Sequence, residues 1–289
     1  MPFAVRTRAD DGDKHTSDVN ALIFANNKLY SGANDGKIKV WEEDLKLGGQ
    51  VDAHTAVYSL AASNDTLYSC SNDGFIKAWL LDSLKEKGTI YKGEDEFWKL
   101  VYVDGTLYAG DSQGQIRFFQ NDKIVNNLGV LEGVSGLGVQ GNLLFSVKEL
   151  DVVVTEFIPG HQGQFTTETT IMGRAPLIVE DGKFAFVSRS GRDLLVHNAC
   201  KKSGFNLIAE VKDAHEKIIN ALVAVKDGSD LLLYTGGWDK TVKQWKLSGK
   251  NLSLVNQCNA DFVVNVLAAG PKGEIYAGGS DGHILRIDV

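Results

Sequence analysis

Apolar residues along this chain come in short runs that alternate with polar ones. The runs are cut every few residues by Gly, Asn, Asp or Ser, a pattern that specifies half-buried strands and tight turns rather than helices. One segment recurs. Leu29–Trp41 reads LYSGANDGKIKVW and Leu67–Trp79 reads LYSCSNDGFIKAW. Leu107–Phe119 (LYAGDSQGQIRFF), Leu233–Trp245 (LYTGGWDKTVKQW) and Ile275–Ile287 (IYAGGSDGHILRI) are three more clear copies. Two weaker copies, Leu144–Glu156 and Ala185–His197, keep the apolar pattern and lose most of the polar residues. The total is seven.

Within a copy, an alternating strand such as Leu29–Gly32 meets Asn34-Asp35-Gly36, whose residues tolerate positive φ, and then a second strand, Lys37–Trp41. The turn markers Asp35, Asp73, Gln113, Leu150, Gly191, Asp239 and Asp281 are separated by 38, 40, 37, 41, 48 and 42 residues. A period near 40 suits four strands per unit. The two further strands have candidates in apolar runs upstream (Val19–Phe24, Val57–Ala61, Ile218–Val223, Phe262–Leu267) and downstream (Leu207–Val211, Leu252–Val255).

The segment L-Y-S-G-x-x-D-G-x-I-K-V-W resembles the signature of the WD-repeat (β-transducin repeat) family, and its copies run over essentially the whole chain. The resemblance implies an all-β fold, a seven-bladed β-propeller of four-stranded antiparallel blades around a central channel. The alternating strand at residues 3–8 precedes the first copy, and the last copy stops after its third strand. Residues 3–8 are therefore expected to complete blade seven, formed by about 260–289, leaving no open edge. Residues 1–289 read as a single domain.

In complete WD blades a His, a Ser or Thr, the turn Asp and the Trp form a buried hydrogen-bond chain. Three blades match: His15, Ser31, Asp35 and Trp41; His54, Ser69, Asp73 and Trp79; His215, Thr235, Asp239 and Trp245. The residue types suit the task, because indole only donates, hydroxyl and imidazole do both, and carboxylate accepts at the far end. Ser, His and Asp also compose a hydrolytic triad. A set that repeats three times and ends on an indole is a structural device rather than a nucleophile beside an oxyanion site.

Composition narrows the classes further. With 43% hydrophobic and 23% charged residues the chain can build a core, and no stretch approaches the length of a membrane span. Three cysteines, far apart and without a C-x-x-C pair, fit a reducing compartment and no zinc site, so a cytoplasmic or nuclear location is expected. A net charge of −7 opposes nonspecific binding to phosphate backbones or anionic membranes. Gly136-Leu-Gly138-Val-Gln-Gly141 matches G-x-G-x-x-G formally, but a strand rather than a helix follows, so no dinucleotide site is expected. His161 reads as a loop residue, and His197 and His283 lack partners at metal-ligand spacing. No cofactor and no metal are expected.

What remains is recruitment. In the resembled family, the face carrying the turn-Asp loops usually takes partners, and Trp238 stands there where its counterparts in other copies are small or polar. The starts of the inner strands add Phe97, Lys99, Asn20, Asn220 and Asn265, and Arg174 and Arg189 are candidates to approach the channel. The expected function is a non-catalytic, monomeric scaffold or adaptor that binds a protein or peptide on the turn face. An RNA-binding scaffold and a propeller enzyme with its site at the channel mouth are the alternatives.

Overall fold

The computed structural model describes residues 3–289. Their strands form seven four-stranded sheets, each with antiparallel neighbours. In blades one to six the strands follow chain order from the channel outward, as in Val19–Ala25, Lys28–Ala33, Lys37–Trp41 and Leu47–Asp52. Blade seven takes Val264–Ala269, Ile275–Gly279 and Ile284–Asp288 from one end of the chain and Ala4–Arg8 from the other, with Ala4 opposite Asp288. Inner strands touch in succession round the ring, and Val264–Ala269 meets Val19–Ala25 to close it.

Each blade buries its two faces against its neighbours, so the core is distributed between blades rather than gathered at one centre. Trp79 of blade two, for example, packs with Tyr30 and Ile38 of blade one. Glycine on the second strand makes this close approach possible. A Cβ on Gly32 would overlap Val57 of the next blade, and one on Gly236 would overlap Val264.

Five of the seven inner strands begin with a fully buried apolar residue, Val19, Phe97, Val134, Ile219 and Val264, and in blade two the buried Val57 stands two residues before the strand Ser59–Ala62. In most of these blades the strand register slips immediately after this anchor, as between Val19 and Ala21, Phe97 and Lys99, and Ile219 and Ala221. Such a bulge inserts one residue and re-aims its side chain. Three residues beyond each anchor position stands a leucine: Leu22, Leu60, Leu100, Leu137, Leu177, Leu222 and Leu267 all line the channel.

Two features of the weak repeats differ from the sequence reading. In blade four Leu144 lies opposite Thr155 rather than Glu156, and Lys148 faces Asp151 across a two-residue turn. In blade five Phe184, not Ala185, faces His197 as Leu29 faces Trp41 in blade one. The turn is one residue shorter in blade four and one longer in blade five, so the markers Leu150 and Gly191 do not occupy the place of Asp35.

Candidate functional site

The three polar sets come together side chain to side chain. In blade one the Trp41 indole donates to Ser31 Oγ at 2.8 Å, and Ser31 Oγ lies 2.7 Å from His15 Nε2. His15 Nδ1 then faces both oxygens of Asp35 at 3.0 and 2.9 Å. Blade two repeats this through Trp79, Ser69, His54 and Asp73, and blade six through Trp245, Thr235, His215 and Asp239. A neutral imidazole suits the chain: the hydroxyl donates to Nε2 and Nδ1–H donates to the carboxylate. Burial holds the pKa of His54 and His215 below the usual histidine range, outweighing the pull of Asp73 and Asp239. Burial also pushes Asp35 upward, yet its bonds to His15 and to the amides of Thr16 and Lys37 prevail and hold it down at about 2.

The sequence reading missed a further member of these sets. Lys39, Lys77 and Lys243 each donate to a carbonyl just before the histidine, at Asp13, Ala53 and Ala214. The signal was present as the Lys two residues before each tryptophan. The three histidine side chains are fully buried, and each hydroxyl is already engaged by an indole. Nothing in this geometry exposes a nucleophile.

At the channel mouth the inserted residues form a ring of Asn20, Tyr58, Trp98, Ser135, Ala175, Asn220 and Asn265, all lining a cavity of about 640 Å³. Asn20 donates to Asn34 Oδ1 at 2.6 Å, and Asn220 approaches Asn265 at 3.4 Å. Two candidates from the sequence need correction. Phe97 is fully buried, because it is the anchor of blade three, packed beneath the Arg117 guanidinium; Trp98, one residue on, is the exposed aromatic. Arg189 is spent away from the channel, on Asp151 at 2.8 Å and the Leu150 carbonyl at 3.2 Å.

Trp98 is 37% exposed, lies against Gly133 and donates its indole N–H to Glu96 at 2.9 Å. It lines both the channel and a neighbouring groove shared with Glu132, Glu149, Leu150 and Arg174. Trp238 is 53% exposed on the loop of blade six. Lys99, half-buried beside Trp98, and Arg174 also line the channel. Gly136 and Gly138 sit on a strand packed against Leu177 and Val179, with no helix after them, so their spacing serves close packing.

Among the described residues, no helix is long and apolar enough to cross a membrane. The WD domain, G-beta repeat family matches residues 12–42, 45–79 and 207–246, the three segments that hold the polar sets. No curated protein sequence matches the chain. Solved structures similar to this one include the WD40 β-propeller domain of Doa1, at 16% identity, TM-score 0.81, covering 100% of this chain and 97% of that one. U3-55K is similar at 16% identity and TM-score 0.82, with 95% and 96% covered. The computationally designed Ika8 protein is similar at 18% identity and TM-score 0.71, with 96% and 98% covered. WD40 propellers are generally non-catalytic scaffolds that bind protein partners. The chain thus carries WD40 repeats, matched in blades one, two and six, within a seven-bladed β-propeller.

Proposed function

We propose that this protein is a non-catalytic adaptor whose channel mouth, on the turn-loop face, docks a protein or peptide partner. The observation that carries the reading is Trp98: a bulge turns a large aromatic outward where it joins the channel to the adjoining groove. Exposed aromatic side chains on a rigid frame supply contact area at little entropic cost, and tryptophan is enriched among residues that dominate binding energy. Leu150 across that groove and Trp238 on blade six extend the apolar surface at the rim. Asn20, Asn220 and Asn265 offer polar groups for a backbone to satisfy. Three free thiols suit a cytoplasmic or nuclear setting.

The test is affinity capture from native lysate with cross-linking, using the wild type, Trp98→Ala and Trp238→Ala. Trp98→Ala is expected to weaken retention of the captured partner by about tenfold or more, with an unchanged melting temperature. Undiminished retention by both variants assigns docking to another face and overturns the reading.

A further inference from the structure

Two of the protein's cations are placed where nothing among the described residues answers them. Arg174 occupies the anchor position that is apolar in the other six blades, three residues before the channel leucine Leu177. Lys99 occupies the position just before the leucine, where the other blades have Ala21, Ser59, Gly136, Pro176, Ala221 and Val266. Both cations line the channel, and no carboxylate lines it among the described residues.

Neither Lys99 nor Arg174 makes an ion pair within 4.0 Å or a side-chain hydrogen bond among the described residues, although both are half-buried. The other arginines near this face are neutralised locally: Arg117 by Asp111, Arg189 by Asp151 and Arg192 by Asp213. Burial among apolar neighbours holds the Lys99 ammonium below the usual lysine pKa. On a chain of net charge −7, two unanswered cations facing one leucine-lined channel concentrate positive potential there. The rim above is different, since Glu132 and Glu149 stand on the adjoining groove and Glu132 lies 3.6 Å from Lys148.

We infer that the channel mouth between blades three and five is an anion site, in which Lys99 and Arg174 hold an acidic group, carboxylate or phosphoryl, presented by the docked peptide. This rests on the docking reading above and adds the chemistry of the occupant. Trp98 lies beside the site and covers the peptide stem, while the guanidinium of Arg174 offers paired donors to the oxygens.

The probes are three capped hexapeptides of one Gly-Ser frame carrying a central glutamate, a central phosphoserine or a central serine. Binding is read by quenching of Trp98 fluorescence in a Trp238→Phe background, which leaves Trp98 as the exposed indole. The glutamate or phosphoserine peptide is expected to bind saturably, at least about tenfold more tightly than the serine peptide, and to weaken with added salt. Lys99→Met and Arg174→Met should each cost about tenfold with melting unchanged. Tighter binding of one anionic peptide identifies the source of the charge. Equal binding of charged and uncharged peptides, no saturable binding, or indifference to both substitutions overturns the anion site. A lysate partner that is lost with Trp98→Ala but kept with both methionine variants sinks the anion site alone and leaves the docking face standing.

Discussion

Blades six and four carry a hydroxyl at the same place on the second strand and put it to opposite ends. In blade six Thr235 Oγ1 receives the Trp245 indole and reaches His215, which holds Asp239, so every polar group in the set is satisfied. In blade four Ser146 stands at that position with no partner for its Oγ among the described residues. The residues that would have answered it are gone, and Phe145 packs with Phe184 of blade five instead. Blade five goes further and fills the site with Phe184 and Phe186, stacked on each other, and His197 tilted against both. Blade three replaces the set with a buried Asp111–Arg117 pair, its guanidinium 4.9 Å from the centre of the Tyr91 ring. The difference teaches that the polar chain is one of several ways to bind a blade's outer strands to its turn, and that blades relieved of it are free to vary at the channel. Lys99 and Arg174 both belong to such blades.

The comparison can be broken most sharply at Asp111. Asp111→Ala strands a largely buried guanidinium and is expected to cost about 3–5 kcal/mol in denaturant unfolding. Asp239→Ala, which leaves His215 and two backbone amides unanswered, is expected to cost about 1–3 kcal/mol by the same measurement. A reversed order would show that the tetrad, not the ion pair, is the stronger device.

Acid sharpens the contrast further. His54 and His215 have folded pKa values below the ordinary one, so unfolding takes up protons as the pH drops. Their contribution is full above about pH 6.5 and is lost as the pH falls below it, towards their folded values. The carboxylate of Asp35, at about 2, keeps its contribution until the pH falls below about 4. Hydrogen exchange at about pH 5 to 6 should therefore loosen blades two and six before blade three, whose ion pair contains no imidazole. Uniform loosening of all three blades would erase the distinction. The smallest effect is expected at Ser146→Ala: an unpartnered buried hydroxyl replaced by methyl should change stability by about 0.5 kcal/mol or less, in either direction. A loss as large as that from Asp239→Ala would show that Ser146 does bind within its blade.

The ring was legible because tetrads demand particular residues at fixed spacings; His15, Ser31, Asp35 and Trp41 announce themselves once their repeat is found. The channel mouth was harder to read. Counting along the inner strands places Phe97 and Lys99 at the rim, but the bulge after the blade-three anchor shifts the outward position onto Trp98, and a bulge leaves little trace in residue type. One signal does survive. VNAL, VYSL, FWKL, VSGL, RAPL, INAL and VNVL end on the seven channel leucines, and this tetrapeptide aligns even the blades whose turns have changed length. It also marks Arg174 as the single anchor that is not apolar. Trp238 was legible by contrast with its neighbours, and it is exposed.

The pairing of Ala4–Arg8 with Ile284–Asp288 sets how the molecule answers to being assembled and being pulled. Ala4 lies opposite Asp288, so the ring's last seam joins residues separated by nearly the whole chain, a loop whose closure entropy alone amounts to about 5 kcal/mol. Inner blades made of neighbouring hairpins can form early; the seam is the slow, long-range step. Because the two strands run antiparallel with Ala4 and Asp288 side by side, tension applied between these two residues draws on their hydrogen bonds one after another, as a zip opens. In that direction the closed ring is a clasp.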